Sequence, residues 1–436
     1  MPDVRRAVRE TVSGLPRTFW WLWTSTLVNR LGGFVVTFLA LYLTLDRGYS
    51  ATYAGLVASL YGLGGAVGAV VGGVLTDRLG RRSTMLLAQV AAAAGTATLA
   101  FMDGQAEIAG VATVIGVASS ASRPAVQAMM ADVVPAADRV RAFSLNYWAI
   151  NIGFAVSSAA AGLIASQGYL WLFLGDAFMT VLCALVIYAK VPESMPGREP
   201  ASPGRSAGAA RAAGAAGDGK SRVGLGVVLR DQRFMWFVAL TFLLGTVTQQ
   251  GSTTLSVDMG RQGFSASQYG LIIGLNGLLI VLLQIPLTRL VEQRSVAALL
   301  TAGTLLMGWG FGLTAFAGSV PFYALTVAVW TIGEILHAPA SMSLVADLAP
   351  AHARGRYQGM YSLAWPAASF AGPLLGGVAL DRWGGGVVWG ACAVVGTVAG
   401  AGYWLLLRER GAQAEPVEAV PPAPVRIPEP EPTADC

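Results

Sequence analysis

Gly73-Val74-Leu75-Thr76-Asp77-Arg78-Leu79-Gly80-Arg81-Arg82 gathers one acid, three arginines and two glycines into a single short stretch. On either side, residues 52–75 and 84–102 contain no charged side chain. Each flank is long enough to cross a bilayer as a helix, which takes roughly 20 apolar residues. A charged turn between two such runs reads as a loop at a membrane surface. The same alternation continues in both directions. Over the 436 residues 54% are apolar and 12% are charged, and the mean hydropathy is +0.58. A soluble chain carries about a quarter charged residues, so this one has about half that. A water-soluble enzyme, a disordered chain and a fibrous protein are all excluded.

Apolar runs near 19–45, 52–75, 84–102, 107–131, 144–167 and 169–190 form a first set. A second set lies near 234–257, 267–288, 296–317, 320–346, 358–380 and 387–407. The expected fold is therefore an all-α integral membrane protein with twelve transmembrane helices. Placing both termini in the cytoplasm puts 24 of the 29 Lys and Arg residues on cytoplasmic segments and only Arg47, Arg261 and Arg382 on outer loops. That is the asymmetry of the positive-inside rule. It accounts for the net charge of +5 without a nucleic-acid partner. The first eighteen residues are polar and the run after them is too long for a signal core, so no cleaved signal is expected. The division is a cytoplasmic N-terminus (1–18), a first six-helix half (19–190), a Gly-, Ala-, Pro- and Arg-rich flexible linker (191–229), a second half (230–407) and a Pro- and Glu-rich tail (408–436) expected to be disordered. Cys183, Cys392 and Cys436 form no spacing that indicates disulfides or a metal site. No cofactor is expected.

The two halves repeat at an offset of 215. Gly48-Tyr49-Ser50-Ala51 matches Gly263-Phe264-Ser265-Ala266, and Gly55 and Gly62 match Gly270 and Gly277. Further on, Pro124 matches Pro339, Ala131-Asp132 matches Ala346-Asp347, Pro135 matches Pro350, and Arg139 and Arg141 match Arg354 and Arg356. One offset held over this distance indicates duplication.

Two parallel six-helix repeats are the plan of major facilitator superfamily transporters. Gly73–Arg82 resembles that superfamily's signature loop, G-x-L-x-D-R-x-G-R-R, at every fixed position. The resemblance implies two halves around a central cavity, with Gly73, Asp77, Arg78, Gly80, Arg81 and Arg82 gating the cytoplasmic side by pairing with the other half. The second-half counterpart, Pro286-Leu287-Thr288-Arg289-Leu290-Val291-Glu292, is degenerate, so any lock there is expected to be weaker.

Ionisable residues inside spans are costly to insert, about 2.5–3.5 kcal/mol each, and are functional candidates by default. Arg30 lies in span 1, Arg123 in span 4, Asp176 in span 6, and Glu334 and His337 in span 10. Arg123, within Ser122-Arg123-Pro124-Ala125-Val126-Gln127, resembles the span-4 arginine implicated in proton transfer in drug–proton antiporters; the bland alternative is an arginine satisfied by carbonyls freed at Pro124. Glu334 and His337 are three residues apart on one helix face, and carboxyl and imidazole are the chemistry of a proton site. They also fit a buried pair that fixes packing, and Asp176 fits a helix–helix tie. In the superfamily, spans 1, 4, 7 and 10 line the cavity. The cavity residues expected on these spans and their neighbours are Asn29, Arg30, Thr37, Tyr61, Gln127, Gln249, Gln250, Asn276, Trp330 and Trp365. Many of them suit interhelical hydrogen bonding equally well.

One departure concerns span 5. Antiporters carry a Gly-Pro kink there, whereas Gly153–Gly162 has no proline; Gly372-Pro373 in span 11 has it instead. The expected function is proton-coupled export of small, moderately hydrophobic molecules at the plasma membrane by a functional monomer, with the lipid bilayer, protons and a small-molecule substrate as its partners. A proton-coupled importer of solutes such as peptides is the alternative. Span 1 is similar to that of the proton-dependent oligopeptide transporters around Arg30, but the two glutamates of their E-x-x-E-R motif are missing, with Thr26 and Asn29 in the flanking places. A non-transporting sensor or scaffold of the same fold is a third reading, opposed by the intact loop and the retained charges. No phosphate-binding loop is present, which excludes nucleotide-driven transport.

Overall fold

The computed structural model describes residues 13–194, 226–350 and 353–413. The inner part of the expected linker and the far part of the expected tail lie outside these residues. All described secondary structure is helical. In the first half α1 (Arg17–Leu31) and α2 (Phe34–Leu41) are followed by α3 (Ala51–Leu79), α4 (Arg81–Leu99), α5 (Gln105–Val133), α6 (Arg139–Ala165) and α7 (Tyr169–Lys190). In the second, α8 (Gln232–Thr248) and α9 (Thr254–Arg261) precede α10 (Ala266–Val291), α11 (Val296–Leu313), α12 (Val320–Leu348), α13 (Arg354–Trp383) and α14 (Gly385–Gln413).

Among the described residues nine helices are long and apolar enough to cross a membrane, the α1–α2 rod counting as one. The expected spans 3, 4 and 7 are not among the nine. Span 3 became α4, which opens on two arginines and is mostly small or polar residues after them; span 4 became α5, which carries polar residues through its middle; span 7 is broken into α8 and α9 by a turn at Gln249–Gly251. The first expected span is also broken, at Gly32-Gly33, where the chain leaves helical geometry between α1 and α2. Two ends differ from expectation: Gly226–Arg230 is already a short helix, and α14 runs on past 407 to Gln413. The residues after 407 include Arg, Glu, Ala and Gln, good helix formers that prolong a helix already nucleated.

The helices run up and down, so one end of the bundle carries the loops near Gly48, Asp103, Gly168, Gly263 and Gly384. We call this the distal end, and the opposite one, where α1 begins, the terminal end. At the distal end α3 packs on α13 and α6 on α10, joining the halves. The contacts are backbone to backbone. A Cβ on Gly55 would lie 2.3 Å from the Pro373 carbonyl oxygen, and one on Gly270 2.4 Å from that of Ser158. Gly377 meets Ala51 at 2.2 Å, and Gly162 meets Ala266 at 2.8 Å, in the same sense. Every partner in one pair lies 215 residues from its partner in the other. The repeat read from the sequence is thus a repeated interface: small residues let the helices approach closely where lipid gives no hydrophobic drive.

Hydrogen bonds reinforce this end. Asp381 accepts from the Ala51 and Thr52 amides at 3.2 and 2.6 Å, so it caps α3 from the other half, and it is also ion-paired with Arg261. Ser267 donates to the Gly162 carbonyl at 2.9 Å, and Leu374 N–H donates to Ser59 Oγ at 3.1 Å.

Candidate functional site

The first half encloses a cavity of about 230 Å³. Its walls come from all six rods of that half. The break at Gly32-Gly33 shapes one wall. Asp176 on α7 accepts the amides of Phe34 and Val35, both at 3.0 Å, and Thr180 Oγ1 at 3.4 Å, so its carboxylate caps the start of α2. A helix N-terminus has unpaired N–H groups and a partial positive charge, both of which a carboxylate satisfies. Asp176 is thus a tie between helices as well as part of the cavity wall.

Of the residues expected at the site, Asn29, Arg30, Thr37, Tyr61, Arg123 and Asp176 meet here. Asn29 donates to Gln89 Oε1 at 3.1 Å, and Gln89 is in turn linked to Cys183. Gln89 and Thr180 were missed by the sequence reading, although a glutamine in the charge-free run 84–102 was a signal. Ser119 and Ser122 on α5 were missed too; in an Ala/Ser-rich helix they carry none. Gln127 is one turn from Arg123, exposed, and outside the cavity wall. No carbonyl freed at Pro124 takes up Arg123, which makes no hydrogen bond or ion pair among the described residues.

The second-half candidates stand elsewhere. Trp330 is buried and stacks on Phe311 with ring centroids 5.0 Å apart, so it packs the core instead of lining a cavity. Gln250 donates to the carbonyls of Thr246 and Gly372 and accepts from Thr254, which satisfies the backbone around the break between α8 and α9. Gln249 bonds Ser369 at 3.0 Å, and Trp365 is partly exposed on α13. Asn276 donates to Thr331 at 3.0 Å and to Glu334 Oε2 at 3.1 Å. Glu334 also faces Tyr147 of the first half electrostatically. His337 departs from the expected pairing. It is fully buried, with Ser341 at 3.1 Å and the Tyr403 ring at 5.6 Å, and it makes no contact with Glu334. Three residues leave the two side chains about 60° apart around the helix; the imidazole turns to Ser341 and to Tyr403 of α14, and the carboxyl to Asn276 of α10.

The offset of 215 places these groups in register. Asn276 corresponds to Tyr61 and Glu334 to Ser119. Tyr61 and Ser119 both stand in the cavity wall, while Asn276 and Glu334 are hydrogen-bonded in the second half. The carboxyl of Glu334 thus holds, in its own half, the place that a cavity-lining serine holds in the other.

At the terminal end, Gly80 joins α3 to α4 with φ +97°, a left-handed geometry that glycine adopts without strain. Glu193, just beyond α7, accepts the Arg81 amide at 2.8 Å and both oxygens reach the Arg82 amide, so it caps α4. Arg81 pairs with Asp132 at 3.1 Å, and Arg82 donates to the Tyr188 carbonyl at 2.6 Å. None of these partners belongs to the second half. Asp77 and Arg78 are exposed and make no ion pair among the described residues; Gly73 has open space beside it. The expected lock across the halves is not made in this conformation. Glu193 was missed because it falls in the stretch read as linker.

The sequence profile described as Major Facilitator Superfamily matches residues 22–365 and again 252–429. Over 377 residues the chain is 28% identical to an uncharacterized MFS-type transporter, YttB, of Bacillus subtilis, covering 85% of this chain and 90% of that one. It is 26% identical to the multidrug resistance protein MdtH of Aeromonas salmonicida, covering 87% and 92%. It is 25% identical to a Na(+), Li(+), K(+)/H(+) antiporter of Planococcus maritimus, covering 83% and 91%. Its fold is similar to the crystal structure of a POT family transporter in complex with 5-aminolevulinic acid, with TM-score 0.75 and 18% identity over 93% and 98% of the chains.

Proposed function

Since this chain belongs to the Major Facilitator Superfamily, we propose that it exports small, moderately hydrophobic molecules in exchange for protons. It is a multi-pass transporter of the cell membrane and not an enzyme. The finer reading assigns twelve spans, with α1–α2 and α8–α9 as two broken ones, and both termini in the cytoplasm. The arginines and lysines of the terminal end support that orientation. The distal end is then the outer one, and the protein is closed outward. The expected division into linker and tail stands on composition, and a functional monomer is the working state.

The observation that carries this reading is the placement of Glu334. It is a carboxyl in the second half, hydrogen-bonded by Asn276 and set at the repeat position of a cavity-wall serine. A carboxyl whose solvation and neighbours change between two conformations takes up a proton in one and releases it in the other. The antiporter and multidrug relatives support exchange and export. Arg123 in the first half tunes that proton site, Asp176 is the reserve candidate, and His337 acts as a packing group. Gln249, Gln250, Trp330 and Trp365 serve the helices around the path. The lock of Asp77, Arg78 and Arg81 across the halves belongs to the state in which the terminal end closes.

Reconstitution into liposomes with only a pH gradient imposed tests the reading against a compound panel. Glu334→Gln keeps shape and hydrogen bonding but cannot titrate. It should abolish uphill accumulation while sparing gradient-free counterflow. Uphill transport by Glu334→Gln vesicles would move the proton site to Asp176.

A further inference from the structure

The first-half cavity has an unbalanced charge. Arg30 and Arg123 both line it, and a guanidinium stays charged at any physiological pH. The two interact electrostatically with each other. Neither has an ion pair or a side-chain hydrogen bond among the described residues. Asp176 is the acid in the wall, and its oxygens are already taken by two backbone amides and Thr180. Two like charges facing one cavity repel; the Arg30 side chain is half-buried and that of Arg123 is exposed. The backbone at Arg30 is closely packed against α6. Gly153 on α6 lies so close that a Cβ there would come within 2.4 Å of the Arg30 Cβ.

The rest of the lining gives the second requirement. Phe154, Ile115 and Val36 present apolar surface to the same cavity. The amides are engaged with each other, Asn29 with Gln89. The positive charge is also particular to this half: the residue 215 beyond Arg123 is Ala338.

From this geometry we infer that the cavity holds the carboxylate of an amphiphilic organic monoanion between Arg30 and Arg123, with its apolar body against Phe154 and Ile115. Two guanidiniums less one carboxylate leave a single positive charge to match, which favours a monoanion over a dianion. Charge-assisted bonds from arginine to a carboxylate are about twice as strong as neutral ones and suit its planar fork. The inference rests on the transporter reading for taking this cavity as the substrate site, but it needs neither proton coupling nor a direction of transport.

The test is isothermal titration of the purified full chain in detergent at neutral pH. The probes are 1-naphthoate, its neutral counterpart 1-naphthamide, and the dianionic 1-naphthyl phosphate. Naphthoate should bind about tenfold or more tighter than naphthamide and tighter than naphthyl phosphate. Arg30→Gln and Arg123→Gln should each weaken naphthoate about tenfold or more while leaving naphthamide unchanged. Arg123 makes no hydrogen bond that its removal would orphan, so that variant carries the test if Arg30→Gln does not fold; thermal melting and gel filtration decide this. Arg123→Lys should retain part of the affinity. Equal binding of naphthoate and naphthamide, no naphthoate binding at millimolar concentration, wild-type affinity in the arginine variants, or tighter binding of naphthyl phosphate would each overturn the inference. The titration uses no gradient, so its failure is separate from a failure of uphill transport in vesicles.

Discussion

At the distal end of the bundle, buried residues from both halves form one apolar core: Phe38, Val57, Ile115 and Phe173 join Leu255, Ile272, Phe311 and Trp389. At the terminal end the buried residues divide into two sets. One runs from Leu15 to Val191 within the first half, the other from Val228 to Leu407 within the second. The same helices therefore bind each other at one end and keep to their own half at the other. What differs is the residue at the helix contact. Gly55, Gly270, Gly162 and Gly377 allow backbones to touch distally, whereas Arg81 and Arg82 of the signature loop bond to Asp132 and Tyr188 of their own half. A contact made of backbone atoms and a hydrogen-bonded cap suits an interface that closes and opens as a unit, which a transport cycle requires of both ends in turn.

The strongest way to break this contrast is to fill the distal joint. Gly55→Leu and Gly270→Leu put side chains where carbonyl oxygens lie under 2.5 Å away, an overpacking that costs about 1–3 kcal/mol per site. Spin labels at Asp103 and Phe316, in the distal loops of the two halves, should report a longer distance in either variant and longest in both together. An unchanged distance would remove the joint.

Asp381→Asn comes next. It weakens the cap on α3 and the pair with Arg261 together. Loss of a cap costs roughly 1 kcal/mol, so the same labels should show a partial shift toward the open distance. Arg261→Gln should do less, below about 0.5–1 kcal/mol, because the pair is partly exposed and screened. If Arg261→Gln matched Asp381→Asn, the ion pair and not the cap would be holding the joint.

The smallest effect in this conformation is expected from Asp77→Asn. Its side chain is exposed and unpaired among the described residues, so thermal stability should change by less than about 0.5 kcal/mol. If the proposed lock forms in the other state, the rate of gradient-driven transport should fall instead. A large loss of stability with normal transport would show that Asp77 already has a partner here.

Much of this contrast was open to reading in the sequence, though not its meaning. The matches of Gly55 with Gly270 and Gly62 with Gly277 were visible as a repeat. That each glycine faces a carbonyl of the opposite half was not, since spacing along a chain does not name the neighbour across a gap. Helix periodicity grouped Glu334 with His337, and packing parted them: the imidazole meets Ser341 and the Tyr403 ring, and the carboxyl meets Asn276. Trp330 looked like an aromatic cavity wall until Phe311 was found stacked on it.

Composition and length alone determined that the chain is a helical membrane protein, because backbone groups in lipid must pair within their own segment. The cation distribution indicated a topology, and the loop around Asp77 indicated the family, since both depend on local residue identity. Which polar residues share a space was decided only by the tertiary structure. Asn29, Arg30, Tyr61, Arg123 and Asp176 come from four helices and meet in one cavity, while Asn276 and Glu334 meet in another half altogether. Each had the same apolar surroundings in the sequence. In an apolar helix every face is sequence-compatible with lipid, core or cavity, so only the packing of one helix on the next selects among them.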